Sequence, residues 1–304
     1  MHGPQSRDYL SDEFLDRVRR SYVLHARSRK AGRCWGLINR RRHDIDVALL
    51  ADSNLELREI FADPASTELY YGVDNLCHSI APVCAEDFTT AALTNFRGQV
   101  ANYLAGQVLA AAASPNAPVV EIGPGMGRVA YLAYSRGLTD YTTIDLPLGV
   151  VAQACFLGRV LRPDQIWFQG EPNEDSTDCI KLLYAHQLPQ RRYSVALNVD
   201  SLPEMPATIA FEYACWLSTH ADLFLSTNQE HLGVFSVSEV VAFACSVKPH
   251  ARKECAIWPG YFEEAYSFAG ASPRFSTARR KTFELLAVQR QAGRSLGLIG
   301  RVGL

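Results

Sequence analysis

The feature that most constrains the fold is the segment 119–127, which reads Val-Val-Glu-Ile-Gly-Pro-Gly-Met-Gly. Its first four residues predict a short buried strand. The three alternating glycines predict a tight turn that lets the backbone come close to a ligand. A helix is predicted from Arg128, with its first amides facing that turn. A strand, a glycine turn and a helix in this order are typical of the ligand-binding edge of a parallel α/β sheet.

Strands and helices alternate after this turn. Apolar runs predict strands at 119–122, 141–144, 166–168, 193–197 and 223–226. Helices are predicted between them, at 128–136, 148–161, 176–188 and 206–218. The alternation of 282–288 predicts a late antiparallel strand. This order indicates the α/β class, with a doubly wound, mostly parallel sheet that has helices on both faces.

The first third of the chain has a different pattern. Residues 1–113 are predicted to be mainly helical, with a helix beginning near Ser11 and a long one over 87–113. The double-proline segment 114–118 ends that helix and marks the predicted domain boundary. We therefore expect residues 1–113 to form a cap, substrate-binding or dimerisation region, and 114–304 to form the ligand-binding domain.

Composition limits the classes of function. With 48% hydrophobic and 20% charged residues, the chain can form a sizeable core, and a formal net charge of -2 gives it no general attraction to nucleic acid or anionic membranes. No apolar stretch is long enough to span a membrane, and the N-terminus lacks the apolar core of a signal peptide. We expect a cytoplasmic protein with a small-molecule substrate and no nucleic-acid or membrane partner. A homodimer is compatible with these properties.

The cysteines do not suggest a metal site. None of the eight forms a CxxC pair, and most lie in apolar runs. We therefore expect buried, reduced thiols and no bound metal.

Two acidic residues accompany the glycine turn. Glu121 lies two positions before Gly123, and Asp145 ends the second predicted strand, 24 residues after Glu121. Arg128 occupies the position at which the dinucleotide-binding fingerprint GxGxxG has its third glycine. An NAD-dependent oxidoreductase is therefore only a distant alternative.

The E-x-G-x-G-x-G pattern of 121–127, with Asp145 after it, resembles the first motif of class I S-adenosylmethionine (SAM)-dependent methyltransferases. The strings at 143–147, 198–205 and 223–230 narrow the resemblance to the bacterial sugar O-methyltransferase group, over about residues 119–230. It implies a Rossmann-like sheet of the seven-stranded type and SAM as the cofactor. It also implies that Asp145 binds the ribose hydroxyls, and that adenine lies near 166–170. The residues expected to bind the cofactor are Glu121, Gly123, Pro124, Gly125, Gly127, Asp145, Leu146 and Asn198.

A sugar hydroxyl is a poor nucleophile at neutral pH and needs a general base. Carboxylates or a histidine that follow the fourth and fifth strands would lie at the open edge of the sheet. The candidate catalytic residues there are Asp200, Glu204, Glu230 and His231. We expect a methyltransferase that acts on a hydroxyl of a sugar or a glycosylated compound.

The same carboxylates leave an alternative open. Glu204 and Glu230 follow adjacent predicted strands, so the two could converge. Paired carboxylates bind a guanidinium or ammonium group through charge-assisted hydrogen bonds. An N-methyltransferase of arginine or a related amine is therefore the alternative function.

Overall fold

The structure, a computed structural model, describes residues 11, 13, 14, 16–18, 20, 21, 96–172, 176–230, 234–268 and 276–302. For residue 148 and residues 293–302 it describes the backbone alone. The chain forms two compact units, Met1–Pro189 and Gln190–Leu304. Most of the predicted N-terminal helices lie outside the described residues, and the predicted boundary after residue 113 stays a prediction.

The first unit is built around four parallel strands. Its elements are α1 (Phe96–Ala111), β1 (Val119–Ile122), α2 (Arg128–Ser135), β2 (Asp140–Asp145), α3 (Pro147–Val160), β3 (Ile166–Phe168) and β4 (Cys179–Tyr184). The strand order is β3-β4-β2-β1, and every pairing is parallel. Helices α2 and α3 pack against the strands, and α1 packs against α2. All residues of β1 and β4 are buried, as expected for strands covered on both faces.

The second unit combines parallel and antiparallel strands. Its elements are β5 (Tyr193–Val199), α4 (Ala207–His220), β6 (Ala221–Gln229), α5 (Val237–Cys245), β7 (Ala251–Glu254), β8 (Tyr261–Ser267) and α6 (Thr277–Val302). Strand β5 pairs with β6 in parallel, and β8 runs antiparallel to both β6 and β7. Helix α4 packs against α5 and α6, where the ring of Phe283 contacts those of Phe235 and Phe243.

The predicted α/β class with mostly parallel strands is confirmed. The described residues contain eight strands, of which β4, β7 and β8 were not predicted. Strand β7 is exposed at all four positions and reads Ala-Arg-Lys-Glu, so it has no apolar pattern to reveal it. Charged side chains on such a strand discourage pairing with other chains.

The helix predicted over 176–188 is wrong, because this segment contains strand β4. The six residues of β4 are all buried and read Cys-Ile-Lys-Leu-Leu-Tyr. A strand buried on both faces loses its alternating pattern and cannot be distinguished from a short buried helix by periodicity alone.

The strand predicted over 282–288 is also wrong, because these residues lie in helix α6. Phe283 and Ala287 are 1% and 9% exposed, whereas Leu285 and Val288 are 64% and 60% exposed. Burial at positions four apart is the spacing of one helical face. The antiparallel strands of the described residues lie earlier in the chain and are β7 and β8.

Five of the cysteines lie within the described residues, and all five are buried free thiols, as predicted: Cys155, Cys179, Cys215, Cys245 and Cys255. No helix in the described part of the chain has the length and apolar character needed to cross a membrane.

Candidate functional site

The glycine turn has the backbone geometry that its sequence predicts. Gly123, Gly125 and Gly127 have φ angles of 65°, 60° and 77°, in the left-handed region that other residues rarely adopt. The Gly123 amide donates to the Ile144 carbonyl at 2.9 Å, and the Gly127 amide donates to the Pro124 carbonyl at 3.0 Å. Helix α2 begins directly after Gly127. The turn is therefore attached to β2 and leads into the N-terminus of a helix.

Asp145, the last residue of β2, lies beside this turn. Its Oδ1 accepts a hydrogen bond from the Leu146 amide at 2.7 Å, and its Oδ2 accepts one from Gln153 Nε2 at 2.9 Å. The backbone amide of Gly125 also hydrogen-bonds to this carboxylate. Burial raises the pKa of Asp145 to about 7, although these three bonds oppose the rise. Asp145 as a whole residue is still partly exposed.

Glu121 has a different environment. It is 1% exposed and accepts a hydrogen bond from the Tyr141 hydroxyl at 2.9 Å. Burial raises the pKa of Glu121 to about 8; the Tyr141 bond opposes this rise, and the charge of Asp145 adds to it. Of the two acidic residues, Asp145 is thus the more exposed.

The second unit carries a loop fixed by two buried asparagines. Asn228 Nδ2 donates to Asn198 Oδ1 at 2.9 Å, and Asn198 Nδ2 donates to Ser201 Oγ. The Ser201 and Leu202 amides donate to the side-chain oxygens of Asn228 and Asn198 at 3.2 Å and 3.3 Å. Both asparagines therefore bind the loop that follows β5. A contact of Asn198 with the cofactor stays a prediction.

This loop carries two of the predicted catalytic residues. Asp200 is partly exposed and has a φ angle of 50°, and its amide donates to the Thr227 carbonyl at 3.1 Å. Glu204 is exposed and ends a short 3₁₀ turn. Their roles as general bases stay predictions.

Glu230, the third predicted catalytic carboxylate, forms an ion pair with Arg252 of β7. Arg252 also pairs with the buried Glu264 at 3.2 Å, and its guanidinium lies 4.5 Å from the centre of the Phe262 ring. Glu230 thus already binds a guanidinium group of the protein. His231 lies outside the described residues.

The structure places two further residues at Asp145 that motif analysis missed. Gln153 donates to its carboxylate, and Gly149 leaves room for it, because a Cβ at Gly149 would lie 2.5 Å from Asp145 Cγ. Neither residue belongs to the glycine motif. The available signal was their position on the helix after Asp145, four and eight residues along the chain.

The N-terminal helical segment within residues 13–21 packs at the end of β3. Arg17 donates to both carboxylate oxygens of Glu171 at 2.7 Å and 2.8 Å, and to the carbonyls of Pro163 and Ile166 at 2.9 Å each. The Phe14 ring lies 5.9 Å from that of Phe168. This segment therefore contacts the stretch expected to lie near adenine.

Replacing Arg17 by methionine, which keeps most of the aliphatic stem, is expected to lower the free energy of unfolding by about 2 kcal/mol, since several charge-assisted hydrogen bonds are lost. Arg20 is exposed on the same segment, and Arg20→Met is the matched control, expected to change stability by less than about 0.5 kcal/mol. Urea unfolding of both variants measures the difference. Equal effects would show that the Arg17 contacts do not stabilise the unit.

No family model matches this chain, and no curated protein matches its sequence. Among solved structures, it is similar to the magnesium protoporphyrin IX methyltransferase (ChlM) of Synechocystis PCC 6803 with bound SAM, at 14% identity and a TM-score of 0.44, over 69% of this chain and 95% of that one. For the CcbJ methyltransferase of Streptomyces caelestis, the sequence identity is 13% and the TM-score is 0.40, over 55% of this chain and 88% of that one. For the mitomycin 7-O-methyltransferase MmcR, the sequence identity is 14% and the TM-score is 0.39, over 82% of this chain and 94% of that one. At such identities and TM-scores a likeness does not establish function, which has to be inferred from the site itself.

Proposed function

We propose that this chain is an SAM-dependent methyltransferase that acts on a small metabolite. The observation that carries the proposal is the carboxylate of the partly exposed Asp145, which the Gly125 and Leu146 amides hold beside the glycine turn. Ribose offers two adjacent hydroxyl groups, and one carboxylate accepts hydrogen bonds from both. The backbone of the turn, free of side chains at its three glycines, would then follow the amino-acid part of SAM.

The same geometry favours SAM over a dinucleotide. The third glycine of the dinucleotide fingerprint allows close packing of the helix and the strand, and this chain has Arg128 there. Arg128 is the first residue of α2, and its guanidinium approaches the sulfur of Met126 at 3.5 Å. The E-x-G-x-G-x-G pattern therefore supports the methyltransferase function, with NAD as the competitor to test.

The proposed reaction transfers the methyl group of the SAM sulfonium to a hydroxyl of a sugar or glycosylated compound. A new C–O bond forms as the C–S bond breaks, and the hydroxyl proton passes to a carboxylate of the protein. Asp200 and Glu204 are the proposed bases, because Asn198 and Asn228 fix the loop that carries both of them. S-adenosylhomocysteine is the second product.

The Glu230–Arg252 pair also supports a second candidate, the N-methyltransferase. In this pair, Glu230 binds the guanidinium group of a residue of the protein itself. An arginine-like substrate would have to displace Arg252, so the cost of breaking an existing ion pair would offset part of its binding energy. The hydroxyl acceptor requires no such exchange and is therefore preferred.

Isothermal titration with SAM, S-adenosylhomocysteine and NAD tests the cofactor, and we expect binding of the first two alone. Methyl-transfer assays with nucleotide sugars, glycosylated metabolites, free arginine and simple amines then test the acceptor, with product mass spectrometry to locate the new methyl group. Binding of NAD alone would refute the methyltransferase proposal. Methylation of arginine with no reaction on sugars would establish the alternative.

A further inference from the structure

Gln153 connects the candidate site to the interior of the first unit. Its side chain is fully buried on α3; Nε2 donates to Asp145 Oδ2 at 2.9 Å, and Oε1 accepts a hydrogen bond from Thr143 Oγ1 at 2.8 Å. Thr143 lies on β2 and is itself fully buried. A chain of two hydrogen bonds thus runs from the strand through Gln153 to the carboxylate.

The direction of this chain follows from the chemistry of its members. An ionised carboxylate only accepts hydrogen bonds, so the amide NH₂ of Gln153 has to face Asp145. The Thr143 hydroxyl donates to the remaining oxygen of the amide, and its other acceptor, the Lys181 carbonyl, is more distant at 3.3 Å. Thr143 therefore fixes which end of the amide faces Asp145.

We infer that Gln153 is a positioning residue for cofactor binding: oriented by Thr143, it favours the ionised form of the Asp145 carboxylate and holds it in one orientation toward the ribose. This inference rests on the proposed function, since it takes the ribose of SAM as the group that Asp145 binds. Gln153 touches no ligand in this account and acts through Asp145 alone. Its hydrogen bond lowers the pKa of Asp145 against the opposing effect of burial.

A double-mutant cycle tests the inference, with S-adenosylhomocysteine as the probe and calorimetry on the full chain as the measurement. Gln153→Leu is expected to weaken binding about tenfold, the effect of losing one charge-assisted hydrogen bond. Asp145→Asn is expected to weaken it further, and the double variant is expected to bind no worse than Asp145→Asn alone. Independent effects that simply add would overturn the inference.

Two threonines on β2 provide a matched pair of milder variants. Thr143→Val removes the hydroxyl that orients Gln153 and should weaken binding in the same direction by a smaller factor. Thr142→Val is the control: Thr142 is equally buried, and its hydroxyl has no hydrogen-bond partner among the described residues. If both valine variants changed affinity equally, the role given to Thr143 and Gln153 would be wrong.

The pH profile separates this role from a merely structural one. In the wild type, the affinity for S-adenosylhomocysteine should reach its full value at pH values above the pKa of Asp145, which is about 7. It should decrease at lower pH as the carboxylate is protonated. Gln153→Leu removes a bond that favours the charged form, so its profile should shift upward by about one pH unit. An unchanged profile would overturn the inference.

Other ionisable groups must stay constant in that comparison. The ionisable side chains on β2 and on the elements packed against it are Glu121 on β1; Arg128, Tyr131 and Tyr134 on α2; Asp140 and Tyr141 on β2; Cys155 and Arg159 on α3; and Cys179, Lys181 and Tyr184 on β4. Glu121 interacts directly with the charge of Asp145. Wild type and variant share all of these groups, so a difference between their profiles reports on Gln153. Failure of the wild type to bind S-adenosylhomocysteine would refute the proposed function together with this inference. If the wild type binds and the effects of Gln153→Leu and Asp145→Asn are additive, this inference alone is refuted.

Discussion

Replacing Gly149 by alanine is expected to weaken SAM binding by about a hundredfold while the protein stays folded. A Cβ at this position would lie 2.5 Å from Asp145 Cγ and 2.7 Å from each carboxylate oxygen, which is closer than nonbonded atoms can approach. The carboxylate therefore has to turn away from its bonds to Leu146 and Gln153. Two charge-assisted hydrogen bonds to ribose would be lost with it, at about 3 kcal/mol, or about a hundredfold in affinity.

Gly106 offers a matched control, because it also lies within a helix and a Cβ there would meet nothing within 4 Å. Gly106→Ala is expected to leave affinity unchanged and to raise stability by about 0.5–1 kcal/mol, the usual gain from alanine over glycine in a helix. Calorimetric titration with S-adenosylhomocysteine and thermal unfolding of both variants provide the comparison. If Gly149→Ala bound as tightly as the wild type, Asp145 would not be the ribose ligand.

Replacing Lys181 by methionine is expected to lower the free energy of unfolding at pH 7 by about 3–5 kcal/mol. Lys181 Nζ lies 3.4 Å from Asp140 Oδ1, and both side chains are only 3% exposed. Removing the ammonium group leaves the buried carboxylate without its counter-charge, and that desolvation cost is no longer offset. Urea unfolding measures the loss.

Two comparisons make this result specific. Arg192 and Asp222 form an exposed ion pair with side chains 60% and 56% accessible, so Arg192→Met should cost less than about 1 kcal/mol. Adding Asp140→Asn to Lys181→Met should recover most of the lost stability, because the uncompensated charge is then absent. A loss below about 1 kcal/mol for Lys181→Met would show that the buried pair contributes little.

Much of the first unit could be predicted from the sequence, because its signals are local. The glycines of the turn need left-handed φ angles, and the strand that ends at Asp145 follows at the spacing of one strand–helix–strand unit. The sequence alone therefore predicts both the turn from Gly123 to Gly127 and the position of Asp145.

Features that depend on tertiary contacts could not be predicted in the same way. The two errors of secondary structure, at β4 and α6, arise where burial on both faces or solvent exposure hides the periodicity. The pairing of Glu230, which follows the end of β6, with Arg252 of β7 joins residues 22 positions apart, which no motif records. Gln153 was missed because an isolated glutamine in an apolar helix carries no sequence signal of its own.

The loop after β5 also has a consequence for how such a protein can change its preference during evolution. Asn198 and Asn228 fix the path of this loop through the backbone amides of Ser201 and Leu202, and those amides are present whatever the side chains are. A substitution in the loop therefore leaves these two backbone hydrogen bonds in place while it alters the chemical surface that the loop presents. Such a division between a fixed frame and exchangeable side chains would let relatives of the proposed enzyme act on different acceptors.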